Sequence, residues 1–392
     1  MTVALELPPL TAEEHAHSER LITRICREIE AHQGWISFER YMEMALYEPG
    51  LGYYSAGSRK LGGAGDFVTA PEISPLFSRC VANQCAQVLT SLGGGEILEF
   101  GAGSGTMAVD VLLELERLQQ LPTRYCILEV SADLRERQQT TVMERVPHLK
   151  ERVHWLDALP ATFEGVMLAN EVLDAMPVER FRMRANDVNA LGVTWQLGRL
   201  DWSEVRASKP LANAVRTVER ELGFAFPDRY TSEINTRLPA WISSIATTLQ
   251  RGVALLIDYG LPRRDYYRVD RNEGTLLCHF RHRFHDEPLI NVGLQDIGAW
   301  VDFTAVADAA ATAGLHVAGY CTQSHFLMGA GIERYLNVLA SADLPARMQV
   351  ARQAMVLTLP NEMGERFKVI GLSRGLDEPL IGFSVRDLSA SL

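Results

Sequence analysis

Glu96-Ile97-Leu98-Glu99-Phe100-Gly101-Ala102-Gly103-Ser104-Gly105-Thr106 reads as a strand, a tight turn and the start of a helix. An apolar run with an acid near its end breaks into glycines, and Met107 to Leu115 then carries apolar residues at helical spacing. Glycines at 101, 103 and 105 let the backbone take positive φ and approach a ligand with no Cβ in the way. The positive end of the following helix would lie beside the same turn, so the pocket favours a carboxylate or a phosphate. A dinucleotide fingerprint, G-x-G-x-x-G, needs glycine at 106, where this chain has Thr106. The spacing found, G-x-G-x-G, points to S-adenosylmethionine. A tight loop in any α/β domain would look similar, and the acids downstream decide between the two readings.

Arg124 to Val130 is the next buried strand, and Glu129 ends it roughly 25 residues past the turn, where a doubly wound fold needs an acceptor for ribose hydroxyls. Val153 to Pro160 holds a third short strand, whose Asp157 is placed to accept from an adenine amino group. The run Val166 to Asn170 leads into Asn170-Glu171-Val172-Leu173-Asp174-Ala175-Met176-Pro177. If a helix starts there, Glu171 and Asp174 share a face at i and i+3, so two carboxylates converge at the carboxyl edge of the sheet. Val253 to Gly260 is a further buried strand, and Leu315 to Thr322 and Phe367 to Ser373 are two more around a helical region, Gly331 to Leu357.

Upstream, Thr11 to His32 reads as a helix with Leu21, Ile22, Ile25 and Ile29 on one face, ended by Gly34. Ile36 to Tyr47 follows with Ser37 as cap. The segment from Pro49 to Gly65 is glycine-rich with Tyr53, Tyr54, Arg59 and Lys60, and reads as a loop able to close over a site. Pro71 suits the first turn of a helix running to Leu92, with Thr69 or Ala70 before it. Phe181 to Pro227 looks less regular, mixing short strands around Val193 to Leu197 with Pro and Gly, and reads as an insertion outside the central sheet. Cys278 to Asp286 concentrates Cys and His, yet matches no closed zinc set, so it reads as a substrate-facing loop and no metal is expected.

At 392 residues and 47% hydrophobic, the chain is long enough for two substructures. A net charge of −11 argues against a general nucleic-acid binder, which needs a basic face. The six cysteines are scattered without a C-x-x-C pair, as reduced thiols would be. An acidic start and the lack of a bilayer-length apolar run give the expectation of a cytoplasmic protein without a membrane span.

With these pieces in order, the chain resembles the MidA-like family of class I S-adenosylmethionine-dependent methyltransferases, which includes a mitochondrial complex I assembly factor regarded as a protein arginine methyltransferase. The resemblance rests on Gly52-Tyr53-Tyr54, Gly65-Asp66-Phe67, Pro71-Glu72-Ile73-Ser74, Glu99 through Thr106, Asn170-Glu171 with Asp174, Asp258-Tyr259-Gly260, His282 with His285-Asp286, and Val301-Asp302-Phe303. Ala102, Ser104 and Trp300 stand where the family commonly has Pro, Arg and His.

The resemblance implies an α/β fold, the Rossmann-like seven-stranded sheet of class I methyltransferases, with a helical N-terminal extension and an insertion after the fourth strand. Residues 1–92 would be a helical cap and cofactor-site loop. Residues 93–392 would be the methyltransferase domain, with 181–237 and 261–300 as insertions forming a substrate-side subdomain. The expected S-adenosyl-L-methionine ligands are Thr69, Glu72, Glu99, Gly101, Gly103, Gly105, Glu129, Asp157 and Asn170. The expected catalytic set is Asn170, Glu171, Asp174 and His282, the carboxylates holding an acceptor arginine and the histidine taking a proton. Expected partners are a protein substrate such as a respiratory complex I subunit, and a second copy of the chain. The rivals are a non-catalytic assembly chaperone that binds the same cofactor, and a dinucleotide-dependent oxidoreductase.

Overall fold

In the computed structural model, which describes residues 7–56, 69–338 and 344–392, the Glu96–Phe100 strand lies in the interior of a mixed sheet. Seven strands run in the order His316–Thr322, Phe367–Arg374, Leu249–Leu261, Phe163–Asn170, Glu96–Phe100, Tyr125–Leu128 and Val153–Leu156. An eighth strand, Val301–Asp302, pairs in parallel with the end of Leu249–Leu261. The five strands from Leu249–Leu261 to Val153–Leu156 are mutually parallel, while Phe367–Arg374 is antiparallel to both its neighbours. This is the α/β sheet expected, with one short strand added.

The strands are nearly continuous apolar runs because helices cover the sheet. Val166, Leu168, Val253, Leu255 and Ile257 are almost fully buried among residues of the Pro75–Leu92 and Thr106–Arg117 helices. Close strand pairing explains two other glycines. A Cβ on Gly165 would lie 1.9 Å from the Glu96 carbonyl, and one on Gly252 as close to the Gly165 carbonyl.

The chain divides into two compact units. The first comprises Met1–Phe67, Asp174–Leu238 and Arg263–Trp300, the second Val68–Leu173, Pro239–Pro262 and Val301–Leu392. The sheet just described belongs to the second. So does the Pro75–Leu92 helix, which the sequence reading grouped with the N-terminal part but which packs in the sheet's core.

In the first unit, Thr11 caps the Ala12–Ala31 helix in a capping box with Glu14, and Leu21, Ile25 and Ile29 are buried. Ser37 caps the Phe38–Tyr47 helix through the Arg40 amide. Much of the stretch read as less regular is regular: Glu179–Arg184, Asp187–Gln196 and Arg199–Arg206 form an antiparallel sheet with Ile36–Ser37 and Thr231–Ile234, the strand expected around Val193 among them, and the Lys209–Leu222 helix follows. The sheet's alternation was hidden by arginines. In Glu-Arg-Phe-Arg-Met-Arg, Phe181 and Met183 are buried, while Arg182 and Arg184 both bind the Glu204 carboxylate across the sheet. Arg184, seconded by Arg182, overcomes partial burial and brings that carboxyl down to about 2.

Three other local readings are corrected. Cys278 to Asp286 is no open loop: Leu277–Phe280 and Arg283–His285 form a hairpin. The helix read from Pro71 to Leu92 breaks at Ser74, which is extended at φ −162° and ψ 141° because Pro75 disfavours helical geometry in the residue before it. No helix follows Asn170, since Glu171 takes φ 53° and the chain turns. Most of the glycine-rich segment, 57–65, together with Asp66, Phe67 and Val68, lies outside the described residues. All six cysteines are free thiols, and among the described residues no helix is long and apolar enough to cross a membrane.

Candidate functional site

At the carboxyl end of the Glu96–Phe100 strand the chain passes through three left-handed glycines, Gly101 at φ 59°, Gly103 at 54° and Gly105 at 83°. Gly105 is the N-cap of the Thr106–Arg117 helix and makes no side-chain capping bond, so the turn ends on backbone at the positive end of a helix. The Gly101 amide donates to the Leu128 carbonyl at 3.0 Å, which fixes the turn to the next strand. A Cβ on Gly105 would meet the Cα of Gln138 at 3.2 Å.

Gln138 is the residue that sequence reasoning missed. Its Nε2 donates to the Gly103 carbonyl at 3.1 Å and to Glu129 Oε2 at 2.9 Å, and its Oε1 accepts from Trp155 Nε1 at 3.0 Å. It is fully buried on the Ala132–Arg145 helix. A polar residue on a helical face otherwise reading as core, with Leu134 and Val142, was the available signal. Thr141 supports the same turn through a 2.8 Å bond from its Oγ1 to the Ser104 carbonyl.

Glu129 follows directly on the Tyr125–Leu128 strand and is buried. Besides Gln138 it accepts from the Ser131 amide at 2.9 Å. Burial raises its affinity for a proton, against the bonds from Ser131 and Gln138. Each carboxylate oxygen has a second lone pair, so acceptor capacity is left for a ligand hydroxyl.

Glu99 is more deeply enclosed, 1% exposed, and accepts from Tyr125 Oη at 2.6 Å. Desolvation pushes its carboxyl up to about 7, opposed by the Tyr125 bond and reinforced by the charge of Glu129.

Glu72 lies on the short Ala70–Ile73 helix and accepts from Ser104 Oγ, which also contacts Thr106 Oγ1 at 2.8 Å. Thr69 is the N-cap of that helix, yet its side chain makes no capping bond, so capping alone does not account for its hydroxyl. Asp157 differs from the others: its side chain is 90% exposed and its Oδ1 pairs with Arg135 Nη1 at 2.9 Å. Arg135 also donates to the Leu156 and Glu129 carbonyls, so it ties two strand ends together.

Asn170 ends the neighbouring Phe163–Asn170 strand. Its Nδ2 donates to Glu171 Oε1 at 3.2 Å, and its Oδ1 is buried with no hydrogen-bond partner among the described residues. A buried acceptor left unmatched costs free energy unless a ligand supplies the donor. Glu171 is held in its left-handed conformation by an amide bond to the Ile257 carbonyl at 2.9 Å. Asp258, fully buried, accepts from the Leu173 and Tyr259 amides at 2.9 Å each and so secures the turn beyond.

Every expected cofactor ligand is thus in the second unit, together with Glu171. Asp174 and His282 belong to the first. Asp174 is 5% exposed, and its carbonyl accepts from the Ala299 amide at 3.1 Å. The i, i+3 helical face expected for Glu171 and Asp174 does not exist, because the intervening backbone is a turn.

His282 is exposed at the tip of the hairpin, where Arg281 at φ 49° and His282 at φ 61° form a two-residue connection with both φ positive. His285 accepts from the Glu287 amide at 3.2 Å, and desolvation lowers its proton affinity. A His–Asp pair not foreseen lies within the same small sheet: His279 Nδ1 is 3.8 Å from Asp296 Oδ2, and Asp296 Oδ1 accepts from Tyr54 Oη at 2.8 Å.

Residues 80–321 match the model of a family of S-adenosyl-L-methionine-dependent methyltransferases. A Burkholderia thailandensis protein solved bound to S-adenosyl-homocysteine is 40% identical, with a TM-score of 0.94 over 99% of this chain and 100% of that one. The mitochondrial protein arginine methyltransferase NDUFAF7 homolog of Drosophila melanogaster is 29% identical, the match covering 90% of this chain and 86% of the relative. For the mitochondrial protein arginine methyltransferase NDUFAF7 of Danio rerio the figures are 27%, 86% and 82%.

Proposed function

This chain belongs to that family of S-adenosyl-L-methionine-dependent methyltransferases, and on this premise we propose that its acceptor is an arginine side chain of a protein such as a respiratory complex I subunit. The observation that carries the proposal is Glu171. A non-glycine residue with φ 53° is strained, and strain of this kind clusters at functional sites. Here it displays a carboxylate beside the Asn170 amide, at the end of a central strand. A fixed carboxylate suits the planar fork of a guanidinium, which is protonated near neutral pH and needs both neutralising and orienting. The names of the relatives in fly and zebrafish support the same acceptor class.

The residues present fit the cofactor. The three glycines provide a side-chain-free turn at a helix N-terminus, Glu129 retains lone pairs for ribose hydroxyls, and Asn170 Oδ1 is a buried acceptor that lacks a donor among the described residues. S-adenosylmethionine supplies an electrophilic methyl group on a sulfonium. The chain's own task is then to align the acceptor nitrogen for in-line displacement and to stabilise positive charge. Glu171 and Asp174 take that task in the proposal. No step is assigned to His282, whose backbone geometry the hairpin turn explains. A cytoplasmic site of action completes the proposal, although the relatives named above are mitochondrial.

Glu171→Gln tests it, because shape is kept and charge removed. S-adenosylmethionine affinity should stay nearly unchanged while methyl transfer to a protein arginine falls by two to three orders of magnitude, the equivalent of about 3–4 kcal/mol of transition-state stabilisation. Parallel loss of cofactor binding would make Glu171 a cofactor ligand. Full transfer by both Glu171→Gln and Asp174→Asn would end the assignment of these carboxylates as the arginine clamp.

A further inference from the structure

The Leu344–Thr358 helix buries Ala354 and Leu357 on one side. On the other, Leu344, Met348 and Met355 are 67%, 53% and 53% exposed, and Ala351 is exposed with them. These four follow one another at spacings of four, three and four, the seam of a heptad pattern. Leu359, also exposed, continues the stripe past the helix end, where its amide bonds the Met355 carbonyl at 2.8 Å. A straight apolar seam is what one helix offers another, and unbranched thioethers let it adapt to a partner's shape.

Charge selects the occupant. Arg347 and Arg352 are exposed on opposite flanks of the seam, neither is ion-paired with a described residue, and Leu344–Thr358 contains no acid. A second copy of the helix would set arginine against arginine, whether the two ran parallel or antiparallel. A partner with carboxylates beside its apolar stripe would instead be matched on both flanks.

We propose that this face docks an acidic amphipathic helix of a partner protein. The helix that carries it is anchored to the second unit, since Ser74 Oγ donates to Gln353 Oε1 at 3.0 Å. The proposal goes beyond methyl transfer and does not depend on which acceptor is used.

The test uses the full chain and two labelled synthetic peptides of about three heptads, both with leucine at the seam, one with glutamate and one with lysine on the flanks. Fluorescence anisotropy should show the glutamate peptide binding at least about tenfold tighter, a difference of about 1.4 kcal/mol. Met348→Asp combined with Met355→Asp should abolish that binding. Arg347→Glu with Arg352→Glu, which spares the apolar seam, should invert the preference.

Three results would overturn the proposal. One is equal affinity for the two peptides, and another is no binding of the glutamate peptide up to about 1 mM. The third is light scattering that shows a dimer of the chain dispersed by the Met348→Asp, Met355→Asp variant, which would make the occupant a second copy.

Discussion

Gln138 bonds the glycine turn, the proposed ribose acceptor and Trp155 with one amide. Gln138→Ala would leave the Gly103 carbonyl and one Glu129 oxygen short of a donor, so chemical denaturation should show a loss of about 1–3 kcal/mol. S-adenosylmethionine binding should weaken with it in calorimetry. Gly103→Val should abolish cofactor binding, because a β-branched residue resists φ 54° and its side chain would stand where the turn faces the ligand.

Glu99 gives a pH signature. Its folded carboxyl titrates near 7 against an ordinary value of 4.5, so between these two values the folded state holds more protons than the unfolded. Stability of the cofactor-free protein should therefore fall as pH rises through that window, by up to about 3 kcal/mol. Glu99→Gln keeps an acceptor for Tyr125 and should remove this slope from a plot of melting temperature against pH.

Among elements, the Ala132–Arg145 helix carries both Gln138 and Thr141 to the glycine turn, and its N-cap is Ser131, whose Oγ accepts from the Leu134 amide at 3.3 Å. Ser131→Ala should cost about 1 kcal/mol of stability and reduce cofactor affinity in the same variant, while Ser131→Thr should restore most of both. The hairpin whose tip is Arg281 and His282 is the opposite case, an element to which the proposal assigns no chemical step. His282→Gly should leave methyl transfer unchanged and raise stability by up to about 1 kcal/mol, since glycine adopts φ 61° without strain. A loss of transfer in that variant, with cofactor binding intact, would restore His282 to the chemistry.

For the whole molecule, the expected cofactor ligands all fall in the second unit although they span residues 69 to 170 in sequence. Saturating S-adenosylhomocysteine should stabilise the protein by about 2.7 kcal/mol at a hundredfold excess over its dissociation constant. Hydrogen exchange should locate the protection at the Glu96–Phe100 strand, the glycine turn and the Ala132–Arg145 helix, and much less at the Asp187–Gln196 strand of the first unit. Uniform protection of both units would show that the ligand is not held by the second alone.

The sheet was legible from the sequence because its signals are local. An apolar run broken by glycines, an acid at the end of the next strand and helices with one apolar face each act within a dozen residues, and backbone sterics and burial dictate the result. The same held for the cap at Ser37.

What the sequence hid depends on partners far along the chain. The arginine-rich Glu179–Arg184 strand exists because Glu204, on another strand, accepts its charges. Gln138 has no role legible from its neighbours in sequence, because its partners are Gly103, Glu129 and Trp155. Glu171 and Asp174 looked like neighbours on a helix, yet an amide bond to Ile257 holds Glu171 left-handed and ends regular structure there. Local patterning determined which residues form the elements; which polar groups are satisfied, and by whom, only tertiary structure decided, since each such bond joins groups that chain proximity does not bring together.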